Sequence, residues 1–164
     1  MNRNAVCAGL MLLLLAGCAS GLSPGAKALV TSTDPFSALQ AEPERHMGET
    51  VLLGGRILEI TPSPAATELI VLQLPLDWQD RPKQRADSQG RFIVQAAEFL
   101  DPAHYTPGAL LTVVGTLGGS ETRAIGGFDY RYPRLLPTEI KLWPATPERS
   151  SPAFHFGVGV GTHF

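Results

Sequence analysis

The chain has two cysteines, Cys7 and Cys18, and none after them. A domain built from the later residues therefore contains no disulfide and rests on its hydrophobic core alone. Basic charge is not in excess either: 13 Lys and Arg face 15 Asp and Glu, for a net charge of −2. A nucleic-acid binder must neutralise phosphates, so this balance argues against one. The apolar run 5–16 covers only about 18 Å as a helix, too little to cross a hydrocarbon core of ~30 Å. Catalytic and metal-binding patterns are missing too. His46, His104, His155 and His163 are scattered, without the spacing of a zinc site. Ser120-Glu121 lacks the Gly-x-Ser-x-Gly setting of a nucleophile elbow. The carboxylate pairs Asp77 with Asp80 and Glu98 with Asp101 lie near turns, where they read as solvated charge. The expectation is a protein that is not an enzyme and uses neither metal nor cofactor.

What is present begins with Arg3, followed by the apolar run and then Leu15-Ala16-Gly17-Cys18. A basic start, an apolar stretch of this length and small residues at its end make a secretory signal peptide over 1–17. The tetrapeptide resembles the lipobox of bacterial lipoproteins. The resemblance implies that the Cys18 thiol receives a diacylglycerol, that the signal is cut just before it, and that the new amino group is acylated. The membrane is then a partner through lipid: one acyl chain, at ~0.8 kcal/mol per buried methylene, binds marginally, whereas two or more hold stably. Ala19 after the cysteine, where retained enteric lipoproteins tend to carry Asp, favours export to the outer membrane. Residues 18–33 read as this lipidated N-terminus and a flexible tether with a typical reach of ~20 Å.

With 44% hydrophobic and 17% charged residues, the remainder has the composition of a packed domain, expected over 34–146. Asp34-Pro35 looks like a helix start, with Asp34 as cap and Pro35 in the first turn; Pro43 keeps that helix short. From 51 onward the signals are β. Residues 51–60 form an apolar strand interrupted by Gly54-Gly55, the mark of a bulge or bend. A strand over 68–74 carries the run Leu69-Ile70-Val71-Leu72, consistent with burial on both faces. Further strands are expected over 91–95, 109–117 (ended by Gly118-Gly119) and 138–143, with a helical turn within 96–105. A long bent first strand and a helix between the third and fourth point to an all-β fold, a small OB-like five-stranded barrel with a short helix. A small β-sandwich is the alternative. The Gly-rich tail 147–164 reads as a mobile or edge-packed end.

Several segments resemble the Slp family of outer-membrane lipoproteins. They are Gly54-Gly55-Arg56-Ile57, Leu74-Pro75-Leu76-Asp77, Ser88-Gln89-Gly90-Arg91-Phe92, Phe99-Leu100-Asp101-Pro102 with Tyr105, Val113-Val114-Gly115, Tyr130-Arg131-Tyr132-Pro133 and Leu142-Trp143-Pro144. The match runs over about 49–144 in order and spacing. It implies a lipid-anchored protein of the Gram-negative outer membrane with a starvation- or stress-linked role. It supplies no catalytic residues.

Tyr130-Arg131-Tyr132-Pro133 interleaves aromatic rings with a cation and, on an OB surface, suits stacking on a base or a sugar ring. The compartment and the charge favour a glycan. Arg91, Tyr130 and Tyr132 are therefore the candidate ligand or partner surface, with loops 77–90 and 118–129 beside it; the same tyrosines also fit a packed pair on an edge strand. Gly54-Gly55 reads mainly as a strand bend, Asp101 as a turn carboxylate bonding nearby N–H groups, and Trp143 as a cap on the core. The functional expectation is a non-catalytic envelope maintenance or stress role, facing the periplasm. A module binding a glycan or an envelope protein is the rival, and a hydrolase of envelope polymers the less favoured third reading.

Overall fold

A computed structural model describes residues 21–64 and 66–144. Two short helices, α1 (Pro24–Ala28) and α2 (Phe36–Ala41), and a 3-10 turn (Pro43–His46) precede five strands: β1 (Thr50–Pro62), β2 (Thr67–Gln73), β3 (Arg91–Ala96), β4 (Leu110–Ile125) and β5 (Phe128–Trp143). The strands close into a barrel in the order β1-β2-β3-β5-β4 and back to β1. This is the five-stranded OB-like arrangement. All neighbours are antiparallel except β3 and β5, whose parallel pairing, Ile93 with Arg134 and Val94 with Leu135, shuts the barrel.

β1 belongs to both sides of the barrel. Residues 50–56 pair with β4 and 55–62 pair with β2. The change of partner falls at Gly55, where a Cβ would stand 2.3 Å from the Leu72 carbonyl oxygen. Glycine is needed there because the neighbouring backbone passes through the space of a side chain. The interior is filled by alternate residues of each strand, among them Ile57, Leu69, Val71, Phe92, Leu111 and Leu135, all at most 1% exposed. Phe36 and Leu39 of α2 plug the same core, with Phe36 tilted against Phe92 at 5.9 Å between ring centres.

Several expectations need correction. β4 does not stop at Gly118-Gly119. It bends there and runs on to Ile125, so 118–129 is the arm of a long β-hairpin, not a loop. The hairpin turns on Gly126-Gly127, at φ +55° and +89°, the left-handed pair that a tight two-residue turn requires. Between β3 and β4 the expected helical turn is a single turn with no regular helix, the Asp101 carbonyl accepting the Tyr105 N–H at 3.0 Å. The Asp101 side chain shapes the same turn, its Oδ1 accepting the Ala103 N–H at 2.8 Å, as read from the sequence. α2 is capped by Pro35, and Asp34 makes no capping bond. β2 alternates rather than burying both faces: Leu69 and Val71 are inside, while Ile70 and Leu72 are half-buried on the outer face.

The reading of 18–33 as a free tether fails from Leu22 onward. Leu22 and Ala26 are buried against Val114 on the outer face of β4. Ser23-Pro24 opens α1 with a serine cap and a first-turn proline. The Ser23 N–H donates to Glu139 Oε1 at 2.8 Å, and its hydroxyl donates to Glu139 Oε2. These two donors hold the Glu139 carboxyl below its ordinary pKa, and they fasten the N-terminal segment to β5. Residues 1–17, Cys18 and the tail 147–164 lie outside the described residues.

Candidate functional site

The β4–β5 hairpin leans back over the barrel because Arg123 ties it to β2. The guanidinium donates to both Glu68 oxygens at 2.6 Å and to Glu121 at 2.8 Å. The Glu68 bonds are the main cause raising the Arg123 pKa, and Arg123 in turn lowers that of Glu121. Between the hairpin tip, the start of β3 and α2 lies a groove of about 470 Å³. Leu72, Ile125 and Phe128 give it apolar surface; Gln40, Ser88, Gln89, Arg91, Asp129 and Tyr130 give it polar groups.

Two of the three expected surface residues meet here. The Tyr130 hydroxyl accepts the Arg91 backbone N–H at 2.6 Å, which leaves its own proton free to be donated to a ligand. Tyr132 is placed differently. Its ring meets Tyr130 edge-on at 4.7 Å, but it is 3% exposed, so it supports Tyr130 from behind and does not present a face of its own. Phe128 is 79% exposed at the tip, the one aromatic ring of the groove open to solvent. It lies within 118–129, a span expected to matter, yet its neighbour Tyr130 was the visible motif. Gln40 comes from α2, ninety residues away, and no local pattern marks it.

A ring that stands free beside amide, hydroxyl, carboxylate and guanidinium groups suits a polyhydroxylated ligand. The apolar face of a sugar stacks on the aromatic ring, and its hydroxyls reach the polar rim. Among the described residues lining the groove there is no histidine or cysteine, and the Ser120 hydroxyl donates to Glu44 at 2.6 Å. Trp143, read from the sequence as a cap on the core, is buried with Leu74 and Leu110.

Among the described residues one trio has metal-ligand chemistry. Asp34, His46 and Glu49 bring their ligand atoms within 4.8 Å of one another. His46 Nδ1 lies 2.8 Å from Glu49 and 3.7 Å from Asp34. An imidazole already hydrogen-bonded to one carboxylate and facing another is an ordinary structural arrangement, and it fixes the 3-10 turn to the start of β1. The sequence did not show it because α2 intervenes between Asp34 and His46.

Comparison with known proteins finds sequence relatives over most of the chain. The family model "Outer membrane lipoprotein Slp family" matches residues 15–158. The uncharacterized lipoprotein YeaY of Escherichia coli is 28% identical over 94% of this chain and 82% of its own length. The outer membrane protein Slp of the same organism is 28% identical over 66% of this chain and 57% of its own length. An uncharacterized protein of Haemophilus influenzae is 34% identical over 58% of this chain and 52% of its own length. The chain thus spans little more than half of the last two relatives. Among solved structures, a small single-stranded DNA-binding protein from Streptomyces coelicolor aligns with a TM-score of 0.40 at 14% identity, over 60% of this chain and 96% of that one. With the family match covering residues 15–158, most of its length, the chain belongs to the outer membrane lipoprotein Slp family.

Proposed function

We propose that this protein is a periplasm-facing lipoprotein of the outer membrane, anchored through acylated Cys18, with a non-catalytic role in maintaining the envelope under stress. The family match and the Leu15-Ala16-Gly17-Cys18 ending support the anchor. Labelling with a fatty-acid probe, followed by membrane fractionation, tests it. Wild type is expected to carry label in the outer-membrane fraction. Cys18→Ser is expected to lose the label and leave that fraction. A soluble, unlabelled wild type would remove the premise.

The groove favours one molecular activity, binding of an envelope glycan. Phe128 carries this reading, because a ring 79% exposed beside a polar groove is costly to leave in water and useful for stacking on a sugar. Phe128→Ala is expected to lower the affinity for peptidoglycan fragments about tenfold, the loss of one stacking contact of ~1.4 kcal/mol, with no change in melting temperature. Calorimetric titration of both forms measures it. Saturable binding that Phe128→Ala leaves untouched would place the ligand elsewhere, and no binding by wild type would leave the envelope role without a glycan. Tyr132 is a poor reporter for this purpose, since truncating a buried ring disturbs the fold itself.

A further inference from the structure

The fold begins very close to the anchor. Leu22, 4% exposed, is four peptide steps beyond Cys18, and at ~3.6 Å per residue the chain between them cannot exceed about 14 Å. The following inference rests on the acylation of Cys18 proposed above. With acyl chains in the hydrocarbon, a leash of this length holds the surface around Leu22 at the lipid headgroups and leaves the barrel little freedom to swing away. The reach of a longer flexible segment is not available, because residues 22–30 are spent on packing against Val114 and Leu52.

The structure also shows what lies beside that surface. Lys27 of α1 donates to Asp80 Oδ2 at 2.6 Å, and the Asp80 carbonyl accepts the Thr112 hydroxyl at 2.6 Å. The turn carrying Asp80 is closed on itself, since Asp77 Oδ1 accepts the Gln79 and Arg81 N–H groups at 2.8 and 2.9 Å. It therefore sits beside α1 in a fixed shape, and it displays Trp78, 88% exposed. Leu29, at the end of α1, is 52% exposed. Indole rings favour the boundary between headgroups and acyl chains, where the apolar body is desolvated and the N–H stays wet. No described helix is long and apolar enough to cross a membrane, so a contact made by this turn is interfacial.

We propose that α1 and the turn 77–81 form a membrane-docking face that lies on the phospholipid surface, with Trp78 inserted at the interface as a second contact beside the lipid of Cys18. Two contacts orient the barrel where an acyl anchor alone would not. The glycan groove opens instead at the hairpin tip, whose Ile125 is eleven residues along β4 from Val114 under α1, beyond the bend at Gly118-Gly119.

The test uses the full acylated protein, purified from membranes and reconstituted on phosphatidylethanolamine–phosphatidylglycerol vesicles with and without brominated acyl chains. Trp143 is buried and common to every variant, so differences in tryptophan emission report the second ring. Wild type is expected to show blue-shifted emission, quenching by brominated lipid and protection from iodide, all lost in Trp78→Phe. In the double variant Trp78→Phe with Phe128→Trp, the new ring is expected to stay open to iodide and untouched by brominated lipid. A Trp78 that remains iodide-accessible on the vesicle, or a tip ring quenched by brominated lipid, overturns the docking face while leaving the anchor intact. The intact mass of the purified protein separates the two readings: without acyl mass on Cys18 both fall together.

Discussion

Gly55→Val is expected to prevent the barrel from closing. The substitution adds a branched side chain where the Cβ alone would lie 2.3 Å from the Leu72 carbonyl oxygen and 2.5 Å from a Val71 methyl. A flexible side chain can move aside, but the carbonyl belongs to β2 and is held by the pairing of Arg56 with Leu72 and of Gly55 with Gln73. Relief therefore requires β1 to separate from β2 at the residue where it leaves β4. Overpacking in cores typically costs 1–3 kcal/mol and sometimes more. Here a backbone atom is the obstacle and two ladders share the strand, so a loss of at least ~3 kcal/mol is expected. That is a large part of the ~5–15 kcal/mol that stabilises an ordinary domain. Urea unfolding checks it: the variant should lose its cooperative transition or show a midpoint well below wild type. A wild-type midpoint would mean that Gly54-Gly55 is not where β1 changes partners.

The fold was legible where a local signal and the global arrangement agreed. All five strands were visible in part, 109–117 and 138–143 by apolar alternation and the others as short apolar runs, although β5 begins ten residues earlier, at Phe128; Gly54-Gly55 was visible as a bend and Asp101 as a turn. The misreadings have physical causes. Gly118 and Gly119 were treated as a strand end, yet β4 passes through them with a register shift between Leu117 and Ser120; a bulge and a terminus use the same residues. The better turn signal was Gly126-Gly127, eight residues on. Ser23-Pro24 carries the same helix-start signature that was recognised at Asp34-Pro35, but its Ala- and Gly-rich surroundings resemble a linker. What converts it into structure is Glu139, more than a hundred residues away.

The candidate site was half visible for a related reason. Arg91 and Tyr130 were singled out for their chemical type, and the structure brings the Arg91 backbone to the Tyr130 hydroxyl. Tyr132 has the same type at the next position but one, and strand alternation alone would put it on the same face. The outcome depends on depth: Tyr132 pairs with Glu121 nearer the barrel, while Tyr130 pairs with Arg123 toward the tip, where the hairpin leaves the body and exposes its residues. Phe128 and Gln40 were missed because their roles depend on the hairpin leaning over α2, a contact between distant parts of the chain.

Trp143→Ala is expected to cost 3–5 kcal/mol, the range for truncating a large buried aromatic residue. Its effect should spread beyond the cavity it leaves. The Trp143 Nε1–H donates to the Thr112 hydroxyl at 2.8 Å, and that hydroxyl donates to the Asp80 carbonyl at 2.6 Å. Removing the indole leaves a buried hydroxyl, 0% exposed at Thr112, without its donor. Arg81 loses the ring face that it covers at 5.6 Å, a contact of ~0.5–2 kcal/mol. Both losses converge on the turn 77–81, so that turn should loosen before the barrel does. Hydrogen exchange separates the two effects: amides of 77–82 are expected to exchange faster in Trp143→Ala by a larger factor than amides of β2 or β3. Uniform acceleration would mean that the indole acts only through the core, and that the turn is held by Lys27 and Asp77 without it. The distinction bears on function, because the turn that Trp143 braces is the one that presents Trp78.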